Sequence, residues 1–163
     1  MTNEQLEFTV GRLLRAQGLT LSVAESCTGG LVGHRLTNVP GSSTYFLGGI
    51  ISYDYGIKER VLGVSHDTLA QHGAVSPQVA QEMAQQARAL FRSDVALSIT
   101  GIAGPGGDIP GKPVGLTYIH LSAEGTEWCE QHVWQGDRQE NKDASAEAAL
   151  DLLRRYLEGV PLG

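Results

Sequence analysis

The sequence is poor in cysteine and contains no long apolar run. Its two cysteines, Cys27 and Cys129, lie far apart and outside any CxxC pair. This pattern favours neither a disulfide framework nor a zinc site and is typical of the reducing cytoplasm. No stretch approaches the ~18 consecutive apolar residues of a membrane span, and no apolar segment follows a basic start at the N-terminus. We therefore expect a cytoplasmic protein that neither spans a membrane nor is secreted.

Positive charge is also scarce. The 163 residues include 12 lysines and arginines against 18 aspartates and glutamates, which gives a net charge of −6. Proteins that bind nucleic acids or anionic membranes neutralise phosphates with a basic excess, so we expect neither partner. A small anionic ligand is compatible with this charge where a local positive site holds it. The length fits a single domain over residues 1–163, and 41% hydrophobic residues suffice for a core without metal or disulfides.

Helix-like and strand-like patterns alternate along the chain. Strands are predicted at 19–24, 45–53, 94–100, 114–123 and 126–135. Helices are predicted up to Gly18, after a cap at Thr28, at 57–63 and 66–72, from Ser76-Pro77, and from a cap near Asp137. The alternation predicts an α/β fold, a three-layer α/β/α sandwich in which helices cover a central sheet. The strands at 114–135 resemble a hairpin, which makes the sheet mixed.

Several familiar site motifs are missing or broken. Residues 106–112 fit GxxxxGK, but Pro113 stands where the magnesium-binding Ser or Thr belongs, Pro110 removes an amide, and a strand follows. There is no GxGxxG and no GxSxG, the signatures of dinucleotide binding and of the α/β-hydrolase nucleophile. The five histidines are scattered without HExxH spacing, so we expect no metal site.

Hydroxyl-bearing and small residues are concentrated around Ser26–Thr28 and Ser42–Ser43, with Ser52, Tyr53 and Lys58 close behind. On spacing alone two interpretations remain open. In the first, the serines cap helices at turns and the lysine after the strand is solvated, as is common for both residue types. In the second, these side chains carry out catalysis. The loop at 100–105 is likewise either a plain turn or a set of amides that faces an anion.

Short motifs occur in the order found in one known family. They are AESCTGG (24–30), VPGSS (39–43), an aromatic and glycine-rich strand ending in Ser52-Tyr53 with Lys58 following, LGV (62–64), HGAVS (72–76), SITGIAGPGG (98–107), KPVG (112–115) and GDR (136–138). Over roughly residues 5–157 the chain resembles the CinA C-terminal domain family. The resemblance implies a nicotinamide-nucleotide amidase, which hydrolyses the carboxamide of nicotinamide mononucleotide to nicotinate mononucleotide and ammonia in pyridine-nucleotide salvage. It also implies the stand-alone form, without the larger N-terminal domain of some relatives.

The same resemblance implies serine amidase chemistry with a lysine base and with no metal or cofactor. Carried over by position, Ser43 is the first choice of nucleophile, Lys58 is the base, and Tyr53 helps to orient the proton path. Ser26 is the competing nucleophile or a hydrogen-bonding partner. Relatives often have Ser-Asn-Glu-Ala between that tyrosine and lysine, where residues 54–57 here are Asp-Tyr-Gly-Ile. This departure leaves the tyrosine and the lysine in register but changes the local polar contacts.

This chemistry sets conditions on the structure. A lysine acts as a base near neutral pH only if its pKa falls from ~10.4 toward ~7–8, so Lys58 must be desolvated or lie near another cation. The developing oxyanion needs amide donors from the serine turn or the 100–104 loop. The substrate phosphate needs local positive charge or oriented amides, which the resemblance and this chemistry together assign to Arg138 and the Thr100-Gly101 loop. The remaining expected substrate-binding residues are Thr28, Gly29, Ser42, Ala103 and Gly104.

Family members are commonly homodimers, so we expect a homodimer here. Two rival hypotheses remain. The altered 54–57 segment motivates a nucleotide-binding module that has lost turnover. The family's competence-related name suggests an interaction protein linked to DNA uptake or repair, although the charge of −6 gives it little support.

Overall fold

The fold consists of six helices and five strands in the computed structural model, which describes residues 4–163. The helices are α1 (Leu6–Gln17), α2 (Leu31–Thr37), α3 (Tyr55–Arg60), α4 (His66–His72), α5 (Pro77–Phe91) and α6 (Arg138–Leu157). The strands are β1 (Leu21–Glu25), β2 (Phe46–Ile51), β3 (Val95–Gly101), β4 (Leu116–Ala123) and β5 (Thr126–Val133), and a 3₁₀ turn covers Ser42–Thr44. In this described part of the chain, no helix is both long enough and apolar enough to cross a membrane.

The strands form one mixed sheet in the order β2-β1-β3-β4-β5. β2 and β3 both run parallel to β1, whereas β4 runs antiparallel to β3 and β5 antiparallel to β4. The hairpin predicted at residues 114–135 is therefore present as β4 and β5. It makes the sheet mixed, as predicted.

Helices cover both faces of the sheet. On one face α1, α2 and α6 pack against it through a core that includes Leu14 and Leu150. On the other face α5 and α4 pack through a smaller core that includes Met83. Because successive strand residues point to opposite faces, Leu97 belongs to the first core and Ala96 to the second. The predicted three-layer α/β/α sandwich is confirmed.

The starts of α5 and α6 agree with the prediction in atomic detail. The hydroxyl of Ser76 accepts a hydrogen bond from the amide of Val79 at 3.2 Å, and Pro77 opens α5. Asp137 and Glu140 form a reciprocal capping box at the start of α6. These bonds satisfy amides that have no partner within the helix, and so they fix where each helix begins.

The segment that carries Lys58 differs from the prediction. The helix expected at 57–63 begins at Tyr55, because the carboxylate of Asp54 accepts a hydrogen bond from the amide of Gly56 at 2.8 Å and caps an earlier turn. Lys58 therefore lies within α3 rather than in solvent after a strand.

The glycine- and proline-rich loop after β3 is not a phosphate loop. Ile109 and Lys112 bond to each other through their backbones across a turn that contains Gly111. The ammonium of Lys112 donates to the carbonyl of His72 at the end of α4. Because β4 rather than a helix follows, this loop lacks the helix N-terminus on which a phosphate loop depends.

Candidate active site

The carboxyl ends of three parallel strands meet at one edge of the sheet, with β1 between β2 and β3. From β1 the chain passes through α2 to β2, and it then returns across β1 to β3 through α5 on the opposite face. In open α/β sheets ligands bind in the crevice where such connections diverge. Predicted site residues follow all three strands here: Ser26 after β1, Tyr53 after β2, and the 100–104 loop at the end of β3.

A buried lysine contacts a serine at this edge. Nζ of Lys58 lies 3.0 Å from Oγ of Ser26, and Lys58 is only 1% exposed. The same nitrogen donates to the carbonyl of Ser52 at 2.6 Å and to that of Tyr53 at 3.2 Å. Both carbonyls belong to the segment between β2 and α3, so the backbone there holds the amine against Ser26.

Burial lowers the pKa of Lys58 from its ordinary value of 10.5 to about 8. The ammonium loses its hydration in the buried site, which disfavours the charged form, whereas the carboxylate of Asp54 pulls the pKa upward. The desolvation that a lysine base requires is therefore present. Burial also raises the pKa of the neighbouring Cys27 thiol to about 12, so this thiol stays protonated at neutral pH.

Nζ of Lys58 donates to Ser26, Ser52 and Tyr53, which matches the three donors of the ammonium, and the neutral amine can keep all three contacts. A neutral lysine has two N–H groups and one lone pair, whereas the ammonium has three donors and no acceptor. When Lys58 is neutral, the carbonyls of Ser52 and Tyr53 take its two N–H groups, and its lone pair is left to accept a hydrogen bond from the hydroxyl of Ser26. In this state Lys58 can accept the proton of Ser26, which is what a base must do to activate a serine nucleophile.

Ser43 lies at the opposite end of the sheet from Lys58. It belongs to the 3₁₀ turn before β2, and the first residue of β2 pairs with the first residue of β1. Lys58 follows the far end of β2, and a strand of six residues spans about 17 Å at ~3.3 Å per residue. The predicted pairing of Ser43 with Lys58 is therefore wrong, and Ser26 is the serine that contacts the lysine. Ser42, expected to bind substrate, is buried in the same remote turn.

Tyr53 and Arg138 close one side of the site. The hydroxyl of Tyr53 accepts a hydrogen bond from the guanidinium of Arg138 at 3.0 Å, and a second N–H of Arg138 donates to the carbonyl of Gly104 at 2.6 Å. Tyr53 is 59% exposed and Arg138 is also exposed. Arg138 therefore joins the segment after β2 to the loop after β3 and presents positive charge to solvent. The predicted role of the Tyr53 hydroxyl in a proton path stays a prediction, because its contact is with Arg138.

Thr100 and Gly101, predicted to bind substrate, are engaged within the protein. The buried hydroxyl of Thr100 donates to the carbonyl of Ala74 at 2.8 Å. A Cβ on Gly101 would lie 2.6 Å from Oγ1 of Thr117, so this glycine allows close contact with β4. Neither residue offers a free side-chain group to a ligand. The amides of the following residues, 103 and 104, have no acceptor within residues 4–163 and remain available as donors.

Two amides beside Ser26 are also free. The amide of Ser26 donates to the carbonyl of Ile99, and that of Gly29 donates back to the carbonyl of Ser26. Within the described chain the amides of Cys27 and Thr28 have no backbone acceptor. Gly29 has φ of +62°, a left-handed conformation that turns the chain sharply from β1 toward α2. Amides next to a nucleophile are well placed to hold a developing oxyanion.

Glu25 is a site residue that sequence reasoning missed. Its buried carboxylate accepts hydrogen bonds from the hydroxyl of Thr28 at 2.6 Å and from the amides of Val32 at 3.0 Å and Gly33 at 2.9 Å. Glu25 therefore satisfies the first amides of α2, and the prediction that Thr28 caps this helix is wrong. The hydroxyl of Thr28, expected to bind substrate, is engaged here. A carboxylate at the end of an apolar strand, shortly before a helix, is the signal that identifies such a residue.

Asn141 is a second residue that was missed. Its side chain is buried on α6, donates to the carbonyl of Ala103 at 3.0 Å and accepts from the amide of Gly136 at 3.0 Å. With the bond from Arg138, it ties the loop after β3 to the first turns of α6. Among residues 4–163, no group of three or more His, Cys, Asp or Glu side chains is arranged to hold a metal ion.

Comparison with known proteins places this site within one family. A model of the CinA C-terminal domain matches residues 3–157. A CinA-like protein of Citrifermentans bemidjiense is 49% identical over 154 residues, which cover 94% of this chain and 37% of that protein. The chain spans less than two fifths of the length of the curated relatives it matches.

Solved structures share the fold over nearly the full chain. A CinA superfamily protein from Klebsiella pneumoniae superposes with a TM-score of 0.91 at 31% identity, covering 94% of this chain and 96% of that one. The competence/damage inducible protein CihA from Agrobacterium tumefaciens has a TM-score of 0.89 at 36% identity, covering 97% and 98%.

Proposed function

Because the chain belongs to the CinA C-terminal domain family, we propose that it hydrolyses the carboxamide of nicotinamide mononucleotide to nicotinate mononucleotide and ammonia. One observation carries the proposal: the buried Nζ of Lys58, with a pKa lowered to about 8, lies 3.0 Å from Oγ of Ser26. An amide is a poor electrophile and a serine hydroxyl is a poor nucleophile, so amide hydrolysis needs a base that takes the serine proton, and Lys58 lies where such a base is needed. The family resemblance supplies the substrate.

The reaction proceeds through an acyl-enzyme. Neutral Lys58 takes the proton of Ser26 as Oγ attacks the carboxamide carbon, and the amides of Cys27 and Thr28 hold the resulting oxyanion. The C–N bond then breaks, and the ammonium of Lys58 returns its proton to the departing nitrogen, which leaves as ammonia. Water, deprotonated by the same lysine, attacks the ester on Ser26. As the bond from Oγ to the acyl carbon breaks, the ammonium of Lys58 returns its proton to Oγ and the serine hydroxyl re-forms; nicotinate mononucleotide leaves and its carboxyl proton passes to solvent.

The charge distribution supports a phosphorylated substrate. The protein carries a net charge of −6, yet the exposed guanidinium of Arg138 stands at the rim of the crevice and donates to Gly104 and Tyr53. A local cation of this kind attracts an anion despite the acidic surface as a whole. Both cysteines are free thiols, which supports the cytoplasmic location that we propose for the reaction.

The test is ammonia release from nicotinamide mononucleotide by the purified chain, with EDTA present. We expect Ser26→Ala and Lys58→Met each to lower kcat at least about a hundredfold, because each removes a group that takes part in proton transfer. Ser43→Ala is the matched control and keeps wild-type activity, since Ser43 lies at the other end of β2. Activity that depends on Ser43 and not on Ser26, or loss of activity with EDTA, contradicts the proposal.

The main rival is a nucleotide-binding module without turnover, suggested by the sequence of residues 54–57. In the fold Asp54 caps α3, the helix that carries Lys58, so the departure from the family pattern leaves the lysine against Ser26. Calorimetry and ammonia release on one sample separate the two hypotheses. Tight binding of the mononucleotide with no ammonia over a long incubation favours the binding module.

We propose a second copy of the chain as the partner of the β2 edge. β2 is an edge strand without a charged residue. Large apolar side chains are exposed on β2 and on the segment that follows it: Leu47, Ile51, Tyr53, Tyr55 and Val61. An uncharged, open edge strand pairs readily with another strand, and two identical edges are self-complementary about a two-fold axis. Light scattering should give a dimer mass for the wild type and a monomer mass for Ile51→Lys. A monomeric wild type at micromolar concentration contradicts this proposal.

A further inference from the structure

Lys142, on the second turn of α6, reaches the turn that carries Ser26. A Cβ placed on Gly29 would lie 3.7 Å from Nζ of Lys142, and Gly29 is three residues after Ser26. Lys142 follows Arg138 by four residues, so the two cations lie on the same face of the helix. This face borders the crevice at the ends of β1 and β3.

The ammonium of Lys142 forms no ion pair within residues 4–163, because the acidic side chains near it on α6 are bound elsewhere. Glu140 accepts a hydrogen bond from the backbone at the start of the helix, and Asp143 accepts one from a neighbouring glutamine. Glu147 pairs with Arg35 at 2.7 Å. Lys142 is half-buried and has no carboxylate partner in the described chain, although the protein has a net charge of −6. Its charge is therefore available to an anion from solution.

The other cations of the crevice are already committed. Lys58 is buried against Ser26 and acts in the neutral form. Arg138 donates to the hydroxyl of Tyr53 and to the carbonyl of Gly104, which fixes its guanidinium as a bridge between two segments. Lys142 is therefore the cation of this crevice with the most donors left for a ligand.

We propose that Lys142 binds the phosphate of the substrate, with Arg138 as the second cation. The identity of this anion as a nucleotide phosphomonoester rests on the proposed function. In such a mononucleotide the phosphate and the carboxamide lie at opposite ends, so the phosphate needs a cation in the same crevice but away from Ser26. Lys142 lies beside Gly29, three residues along the turn from Ser26, where it can meet the phosphate end of such a ligand.

The first test compares two substrates that differ only in the phosphate. We expect Lys142→Ala to raise KM for nicotinamide mononucleotide roughly 10- to 100-fold, the loss that a charge-assisted hydrogen bond brings, with little change in kcat. Its kcat/KM for nicotinamide riboside, which lacks the phosphate, should equal that of the wild type. Lys142→Arg should restore most of the affinity. Arg12→Ala, which removes a positive charge from an exposed position on α1, is the matched control and should leave the kinetic constants for both substrates unchanged.

A second test needs no turnover, so it separates failure of this inference from failure of the proposed function. Binding of ribose 5-phosphate is measured by calorimetry for the wild type, Lys142→Ala and Arg12→Ala. Binding at least about tenfold weaker in Lys142→Ala alone supports the phosphate site, even where the wild type releases no ammonia. Equal binding by wild type and Lys142→Ala, or an unchanged KM for the mononucleotide, overturns the inference.

Discussion

Ammonia release should rise with pH up to about pH 8 and then level off. Lys58 acts as a base only when it is neutral, and burial lowers its pKa to about 8. Below that pH the ammonium cannot accept the proton of Ser26, so kcat/KM falls about tenfold for each pH unit. Activity is therefore lost as the pH falls below about 8 and is retained as the pH rises above it.

The size of the effect follows from the two protonation states of Lys58. With a pKa of about 8, about 9% of the side chain is neutral at pH 7, against about 0.03% at the ordinary value of 10.5. Burial thus increases the fraction of active base about 300-fold. The change of about 2.5 pKa units corresponds to about 3 kcal/mol, which comes from the lost hydration of the ammonium.

The assay is kcat/KM for ammonia release between about pH 6.5 and 9.5, above the second pKa of the substrate phosphate near ~6. Asp54→Asn is the matched variant. Asparagine caps a helix as well as aspartate does, but it lacks the charge that pulls the pKa of Lys58 upward, so the profile should move to lower pH. A rate that is independent of pH over this range, or one that still rises steeply at pH 9.5, refutes Lys58 as the base.

Two further predictions concern the framework of the site. Glu25→Gln removes the negative charge that accepts three hydrogen bonds, and we expect it to lower the free energy of unfolding by about 1–3 kcal/mol. Each kcal/mol lost should lower the melting temperature by about 2–4 °C. Exposed Glu124→Gln is its control in thermal denaturation, and equal melting temperatures contradict the prediction. Asn141→Ala frees the carbonyl of Ala103, so amide hydrogen exchange in the 102–113 loop should become faster while exchange in β3 stays unchanged. Unchanged exchange in that loop would show that Asn141 does not hold it.

Features that depend on neighbouring residues could be predicted from the sequence. Ser76 followed by Pro77 marks the start of α5, and Asp137 three residues before Glu140 marks the start of α6, because each cap forms within one turn. Apolar runs between turn-forming residues likewise indicate the strands. The α/β class and the mixed sheet follow from the order of these local signals.

The serine that contacts Lys58 could not be predicted in this way. Ser43 is closer to Lys58 in sequence, and both serines lie within a few residues of a glycine. The deciding fact is that β1 and β2 are parallel, so residues after β1 meet residues after β2, whereas Ser43 precedes β2. Parallel strands are joined by long crossovers, and contacts across them are therefore distant in sequence.

The residues contributed by α6 were hidden for a similar reason. Asn141 and Lys142 are polar positions on a long helix, and nothing in their spacing distinguishes them from solvated side chains. Their partners, the carbonyl of Ala103 and the turn at Gly29, lie in segments far away in the sequence. Only the packing of α6 on the sheet brings these segments together. Arg138 was found because a family motif, not a periodic pattern, includes it.

The burial of Lys58 favours the proposed enzyme over a binding module on energetic grounds. In the unfolded chain Lys58 keeps its proton up to about pH 10.5, and in the folded chain only up to about pH 8. The free energy of unfolding therefore rises with pH between these two values. Below about pH 8 the full cost of about 3 kcal/mol applies. A lysine that only attracts a ligand avoids this penalty by staying accessible to solvent. A base cannot avoid it, because the same desolvation supplies the neutral amine. The proposed hydrolysis therefore accounts for the position of Lys58 against Ser26 better than binding alone does.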